Sequence, residues 1–288
     1  MKISYKVIRI ELIHPFGISR SSHNWYDRVI IYLEDNDIIG IGEAAPSPRY
    51  NESVKTIISI LEKGIELPKH CNERKIIWKS IISQIAGIKS LEAAFNMALW
   101  DWWGKKVKKP VYEIFGLGYE IIPETSITIA IGDMNDIEKK IEEADSYPII
   151  KVKLGTLSMD KKIIKEIRRC TDKPIRVDAN EGWEEENAIS LCNWLVDQNV
   201  VLIEQPFPAE KLELTSKLRK ISPIDIYADE NSVTSKDIPI IQHAFDGINI
   251  KLMKCGTLEE ADKMITISKK YGLKVMLGCM VETSVGVT

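Results

Sequence analysis

The sequence predicts an α/β fold: a modified TIM-type (β/α) barrel preceded by an N-terminal α+β capping domain. Three observations predict it. Short apolar runs recur at near-constant spacing, and each ends in a charged residue. The chain before them has a different, antiparallel pattern. Between the runs lie stretches of the length that one returning helix fills.

The runs are Ile149 to Lys153, Ile175 to Asp178, Val200 to Glu204, Ile226 to Asp229 and Ile248 to Lys251, with their charged ends spaced 25, 26, 25 and 22 residues apart. A strand buried on both faces reads as a continuous apolar run, and one strand plus its helix fills such a step. Thr125 to Ile131 precedes them as a first strand, and Leu273 to Gly278 follows as a seventh. Alternation of this kind means a parallel sheet with helices outside it. The barrel domain is expected over 119–288. A closed barrel has eight strands, and the chain ends at Thr288, early in the seventh helix. The domain is therefore expected to be truncated after the seventh strand: a fragment, a short gene product, or a barrel closed by another segment.

Residues 1–118 form the expected capping domain. Lys6 to Leu12 and Arg28 to Glu34 read as strands, and Asp35-Asn36-Asp37 turns the chain into a third, Ile38 to Glu43. That is an antiparallel meander. The clearest helix begins with Ser90 as N-cap and runs from Leu91 through Trp100.

A net charge of −3, from 39 basic and 42 acidic residues, gives no case for nucleic acid or a membrane surface as partner. The Lys105-Lys106 and Lys108-Lys109 pairs read as a solvated helix end. Five cysteines without a Cys-x-x-Cys pair argue against a disulfide framework and fit a reduced, cytoplasmic setting. The first twelve residues alternate polar and apolar, so neither a signal peptide nor a membrane span is expected. The four histidines lack metal-ligand spacing, which disfavours zinc. The sequence leaves a homo-oligomer open.

In a barrel, the C-terminal ends of the strands surround the one face where chemistry occurs. Asp178, Glu204 and Asp229 come from adjacent strand ends, so their carboxylates converge. One loop acid at a strand end is ordinary; three in register are not. Three carboxylates without His or Cys select a hard divalent cation, and Mg²⁺ suits a site with room for water and substrate. Lys151 and Lys153 flank Val152, so both side chains point to one face. Burial and mutual proximity are expected to disfavour their ammonium forms and lower their pKa values toward that of a usable base. Lys251 lies across the barrel mouth, where a second lysine can return a proton to the opposite face of a carbon. Glu230 is placed to hydrogen-bond an amine. Lys254 lies past the strand end and is expected to be structural.

Together these strings resemble the enolase superfamily, in the subgroup of muconate-lactonizing enzymes and dipeptide epimerases. The carrying elements are Lys151-Val152-Lys153, Val177 to Trp183, Ile203-Glu204-Gln205-Pro206, Ala228-Asp229-Glu230 and Asn249 to Gly256. The resemblance implies that Lys153 and Lys251 are paired acid/base catalysts. It implies that Asp178, Glu204 and Asp229 hold one Mg²⁺ that stabilises an enediolate. Within the subgroup the chain is similar to L-Ala-D/L-Glu epimerases, which implies a dipeptide substrate. Two capping loops, near 16–24 and 46–53, would close over it. Arg20 would meet a glutamate side-chain carboxylate. Arg49, Tyr50, Thr128, Lys151, Cys279 and Met280 would line the pocket, with Asn180 and Glu230 supporting the reacting groups. The family's Asp-x-Asp on an eighth strand, which holds the dipeptide's ammonium, has no counterpart here. Two alternatives stand beside the epimerase: a cycloisomerase or o-succinylbenzoate synthase using the same lysines and metal, and a truncated, inactive remnant.

Overall fold

The computed structural model describes residues 1–18, 21–69, 71, 73–118, 122–156 and 159–288. Strands β1 (Lys2–Ile18), β2 (Ser21–Asp35) and β3 (Ile38–Ala44) form an antiparallel sheet in the order β1-β2-β3. The two-residue turn into β3 uses Asn36 at φ 52°, the left-handed geometry that tight hairpins require. β1 and β2 run well beyond the expected spans. Past the core they continue as a two-stranded ribbon, held by ladder pairing and by surface contacts. In one such contact Arg9 pairs with Asp27 at 2.9 Å and stacks over the Trp25 ring at 3.7 Å. The segment expected as a loop near 16–24 is instead the end of this ribbon, with Phe16, Gly17 and Ile18 paired to His23, Ser22 and Ser21. Ser19 and Arg20 lie outside the described residues.

Helices α1 (Val54–Leu61), α2 (Arg74–Ile85), α3 (Lys89–Val107) and α4 (Val111–Ile114) follow. Val29, Ile31 and Leu33 of β2 bury against Ile57, Ile81, Phe95 and Trp102. Close contact of α3 with β3 depends on Gly42, where a Cβ would stand 1.9 Å from the Ala94 carbonyl oxygen. Ser90 does not cap α3; it lies inside the first turn. The cap comes from elsewhere: the Glu52 carboxylate accepts the Lys89 N–H at 2.5 Å and the Ser90 N–H at 3.2 Å. Two charge-assisted bonds replace the local one, and they tie the 46–53 loop to α3.

The second half alternates strand and helix: β4 (Ser126–Ile129), α5 (Ile137–Glu143), β5 (Ile149–Lys153), α6 (Asp160–Cys170), β6 (Ile175–Asp178) and α7 (Glu185–Val196). Then come β7 (Val200–Glu204), α8 (Leu212–Ile221), β8 (Ile226–Ala228), α9 (Ile238–Ile241), β9 (Gly247–Ile250), α10 (Leu252–Cys255), α11 (Leu258–Lys270), β10 (Lys274–Leu277) and α12 (Ser284–Val287). The seven strands β4 to β10 pair in sequence order as one parallel, curled sheet. β4 and β10 are its edges and pair on one side only, and both are shorter than their apolar runs.

The sheet has two different faces because side chains alternate along a strand. Ile150, Val152, Val177, Ile203, Ile226, Ile248 and Ile250 pack outward against helices carrying Ile164, Ile167 and Leu195. Each such burial is worth roughly 1.5–3 kcal/mol. The intervening residues, Lys151, Lys153, Asp178 and Glu204 among them, face inward. The N-terminal unit meets the strands' C-terminal ends. Arg74 reaches Glu259 at 2.8 Å, Asn96 reaches the same carboxylate at 2.9 Å, and Ala45, Ala93 and Met253 form a small apolar contact. Among the described residues, no helix is long and apolar enough to cross a membrane.

Candidate active site

Asp178 and Glu204 end β6 and β7 and are register partners; Asp229 follows β8 by one residue. Their carboxylates converge as the spacing predicts. The three are buried, and each offers an oxygen within 4.8 Å of the others. The backbone bends sharply just beyond two of them: Asn180, Glu181 and Gln205 have φ of 45°, 65° and 38°. Such conformations are costly for residues with a side chain and persist only where the surroundings enforce them. Gln205 is part of that enforcement. Its Oε1 accepts the Asp229 N–H at 3.0 Å, while its Nε2 donates to Phe207 O at 2.9 Å and Asn231 Oδ1 at 2.6 Å.

Four lysines surround the triad. Lys151 stands between Glu204 Oε2 (2.5 Å) and Asp178 Oδ2 (3.0 Å), and Lys153 reaches the same Asp178 oxygen at 2.7 Å. On the other side Lys251 meets Asp229 Oδ2 at 2.6 Å. Burial works against the ammonium of Lys151, yet Asp178 and Glu204 outweigh it and hold its pKa above the ordinary value. Lys251 is raised against burial in the same way, by Asp229 first. The expected lowering of Lys151 is thus overturned: the two carboxylates in contact with it outweigh burial and the Lys251 charge. Asp178 and Asp229 are held low by their lysines despite desolvation, whereas desolvation and the Asp178 charge push Glu204 up. The donor set, three buried carboxylates without His or Cys, fits a hard divalent cation such as Mg²⁺. A lysine ammonium already bridging Asp178 and Glu204 marks a place where positive charge is accepted.

Lys254, expected to be structural, is packed into this cluster. It is 1% exposed and donates to Asp229 Oδ1 and Asp229 O, each at 2.6 Å, and to Asn249 O at 2.9 Å. Asn249 in turn donates to Glu204 Oε1 at 2.8 Å. Both residues orient carboxylates of the triad from behind. The signal for them was their place in the string from Asn249 to Gly256, Asn249 two residues before Lys251 and Lys254 one turn beyond it. Replacing Lys254 by Met strips a buried carboxylate of one cation and removes one donor each from two carbonyls. The expected destabilisation is about 3 kcal/mol, read by urea unfolding; a loss below about 1 kcal/mol would mean that Lys251 alone compensates Asp229.

The remaining predicted residues spread around the rim. The Pro48–Tyr50 turn brings Arg49 onto Glu181 at 2.9 Å. Tyr50 has its pKa raised by desolvation and then by the Asp229 and Glu230 charges. Thr128 is the register partner of Lys151. Asn180 is buried and donates its N–H to Asp178 Oδ1 at 3.0 Å. Glu230 is buried, and desolvation with the Asp229 charge pushes its carboxyl up to about 7. Beyond β10, the Cys279 thiol is raised by desolvation and Glu282 but feels Lys251, Lys151 and Lys153. Met280 packs beside Ala45, Ala93 and Met253.

Glu282 supplies a pH prediction. Burial pushes its carboxyl up to about 7, with Glu43 adding to the effect. The folded protein then binds a proton that the unfolded chain, with its lower pKa, releases. This stability is fully present below the unfolded value near 4.5 and is lost as pH rises through 7. Glu282→Gln should remove that loss, on the order of 3 kcal/mol by pH 8. Parallel unfolding curves of parent and variant at pH 5 and 8 check it; equal pH dependence in both would refute it.

The N-terminal unit and the barrel both match known families. Residues 2–116 match the mandelate racemase/muconate lactonizing enzyme N-terminal domain, and residues 136–288 the enolase C-terminal domain-like family. An L-Ala-D/L-Glu epimerase of Bacteroides thetaiotaomicron is 35% identical over all of this chain and 76% of its own length. The substrate-liganded L-Ala-D/L-Glu epimerase of Bacillus subtilis superposes with a TM-score of 0.90 at 28% identity, covering 100% of this chain and 84% of its own. A dipeptide epimerase of Enterococcus faecalis, complexed with Mg and L-Leu-L-Tyr, also gives 0.90 at 28% identity, covering 99% and 84%. With its strand-end triad, flanking lysines and both family domains, the chain belongs to the enolase superfamily, in the mandelate racemase/muconate lactonizing enzyme group.

Proposed function

We propose that the protein is a Mg²⁺-dependent dipeptide epimerase, acting on L-Ala-D/L-Glu or a related dipeptide at the carbon α to a carboxylate. One observation carries this reading: Lys153 and Lys251 flank the carboxylate triad from opposite sides, against Asp178 and Asp229. Asp178, Glu204 and Asp229 would hold the cation, which when bound draws charge from the substrate carboxylate and acidifies the adjacent C–H. One lysine takes the α-proton from one face, and the other delivers a proton to the opposite face. The ammonium that Asp229 favours on Lys251 is the delivering form. Arg49 and Tyr50 cover the mouth, Thr128 and Lys151 line it on the β4–β5 side, and Cys279 and Met280 on the β10 side. Asn180 and Glu230 support the triad.

The names of the relatives do not favour the cycloisomerase or o-succinylbenzoate synthase reading, and the assembled triad and lysines speak against an inactive remnant. Five free cysteines support a reducing, cytoplasmic setting. The partner is a small molecule. The test is incubation with a dipeptide panel in D₂O containing Mg²⁺, followed by NMR. Loss of the α-proton signal with appearance of the epimer is expected. A panel in which no dipeptide gains deuterium would overturn the proposal.

A further inference from the structure

β2 and β3 present two faces. Val29, Ile31 and Leu33 point into the N-terminal core. By strand alternation Arg28 and Ile30 point the other way, as does Glu43, the register partner of Ile30. This second face carries two buried charges: Arg28 is 3% exposed and Glu43 0%. Both are aimed at the segment after β10. The two Glu43 oxygens accept the Thr283 N–H at 3.0 and 3.1 Å; Oε2 also accepts the Gly286 N–H at 3.1 Å and the Thr283 hydroxyl. Arg28 Nε donates to Val281 O at 2.5 Å.

A carboxylate is costly to bury unless hydrogen bonds replace its water. Here the replacing donors all come from one short stretch of chain, so the charge and the stretch hold each other. The stretch is anchored at its other end by the sheet. The Gly278 N–H donates to Ile250 O at 2.8 Å, and a Cβ at Gly278 would stand 2.4 Å from Asn249 Oδ1. Between the two anchors lie Cys279, within electrostatic reach of the lysines, and Met280, packed on Ala45 and Met253.

We propose that Glu43, assisted by Arg28, is a positioning residue for the site: it clamps residues 281–286 to the N-terminal sheet and so sets where Cys279 and Met280 stand against the lysine pair. The N-terminal unit thereby shapes the pocket wall from behind, through a carboxylate that does not itself touch the mouth. That this wall meets the substrate rests on the dipeptide-epimerase reading; the clamp does not.

Glu43→Gln keeps the size of the side chain but presents a donor to donors. Thr283→Val removes one donor from the opposite side without touching a charge, and serves if the first variant fails to fold. Amide exchange at Thr283 and Gly286 should accelerate about tenfold in Glu43→Gln, the loss expected for a charge-assisted bond. Alkylation of Cys279 by iodoacetamide, read by mass spectrometry of its peptide, should change in rate. The dipeptide KM should rise about tenfold while Mg²⁺ affinity stays at the parent value. Parent-like exchange and alkylation in both variants would overturn the clamp. Faster exchange with parent-like KM, kcat and dipeptide preference would reduce it to a structural bond and overturn the positioning role. Should the parent turn over no dipeptide, the epimerase reading falls, and exchange and alkylation still judge the clamp.

Discussion

Lys153→Ala and Lys251→Ala should each abolish epimerisation, with kcat expected to fall by roughly 10³-fold or more, the upper part of the range for a positioned acid or base. The two variants do not behave alike. Each retains the lysine on one face of the substrate, so each can still exchange the α-proton of a single epimer with solvent while failing to invert it. The two should therefore retain exchange for opposite epimers. ¹H NMR of each epimer in D₂O reads this directly, and full epimerisation by either variant would sink the two-lysine account. Lys151→Ala tests a different role. Lys151 touches Asp178 and Glu204 at once, so its loss should alter cation affinity as well as rate.

Asp178→Asn, Glu204→Gln and Asp229→Asn should each weaken Mg²⁺ binding and remove activity, because each would delete a charged oxygen from the proposed hard-cation site. The expected losses differ in character. Asp178→Asn leaves Lys153 buried without a carboxylate, while Lys151 keeps Glu204, and Asp229→Asn leaves both Lys251 and Lys254 without one. Those variants should lose about 3 kcal/mol of stability as well. Glu204, whose carboxyl is already pushed up by burial and by Asp178, should cost less stability for the same loss of metal. Calorimetric titration with Mg²⁺, alongside urea unfolding, separates the two effects. Parent-like Mg²⁺ binding in all three would show that the triad is not the metal site.

The strand ends were legible because burial on both faces leaves a continuous apolar run, and chemistry at a barrel mouth leaves a charge where the run stops. Asp178, Glu204, Asp229, Lys153 and Lys251 all stand where that rule puts them. Other features depended on residues far apart in the chain. The cap of α3 comes from Glu52, thirty-seven residues before Lys89, so the local signal at Ser90 misled. The ribbon formed by β1 and β2 exceeds its apolar pattern because pairing and an Arg9–Trp25 stack sustain it without a core. The direction of the Lys151 shift turned on how many carboxylates lay within reach, a count that no single strand holds.

By itself, then, the sequence determined the parallel strand–helix architecture, the three convergent acids and the two flanking lysines, because each stands where a short apolar run of regular spacing stops. The tertiary structure alone decided how those groups are held. Lys254 and Asn249 brace the acids from behind, Gln205 joins the ends of β7 and β8, and Glu43 reaches from the N-terminal sheet to the segment after β10. Such contacts rest on distances between segments that are remote along the chain, and the pattern within a segment carries no record of them.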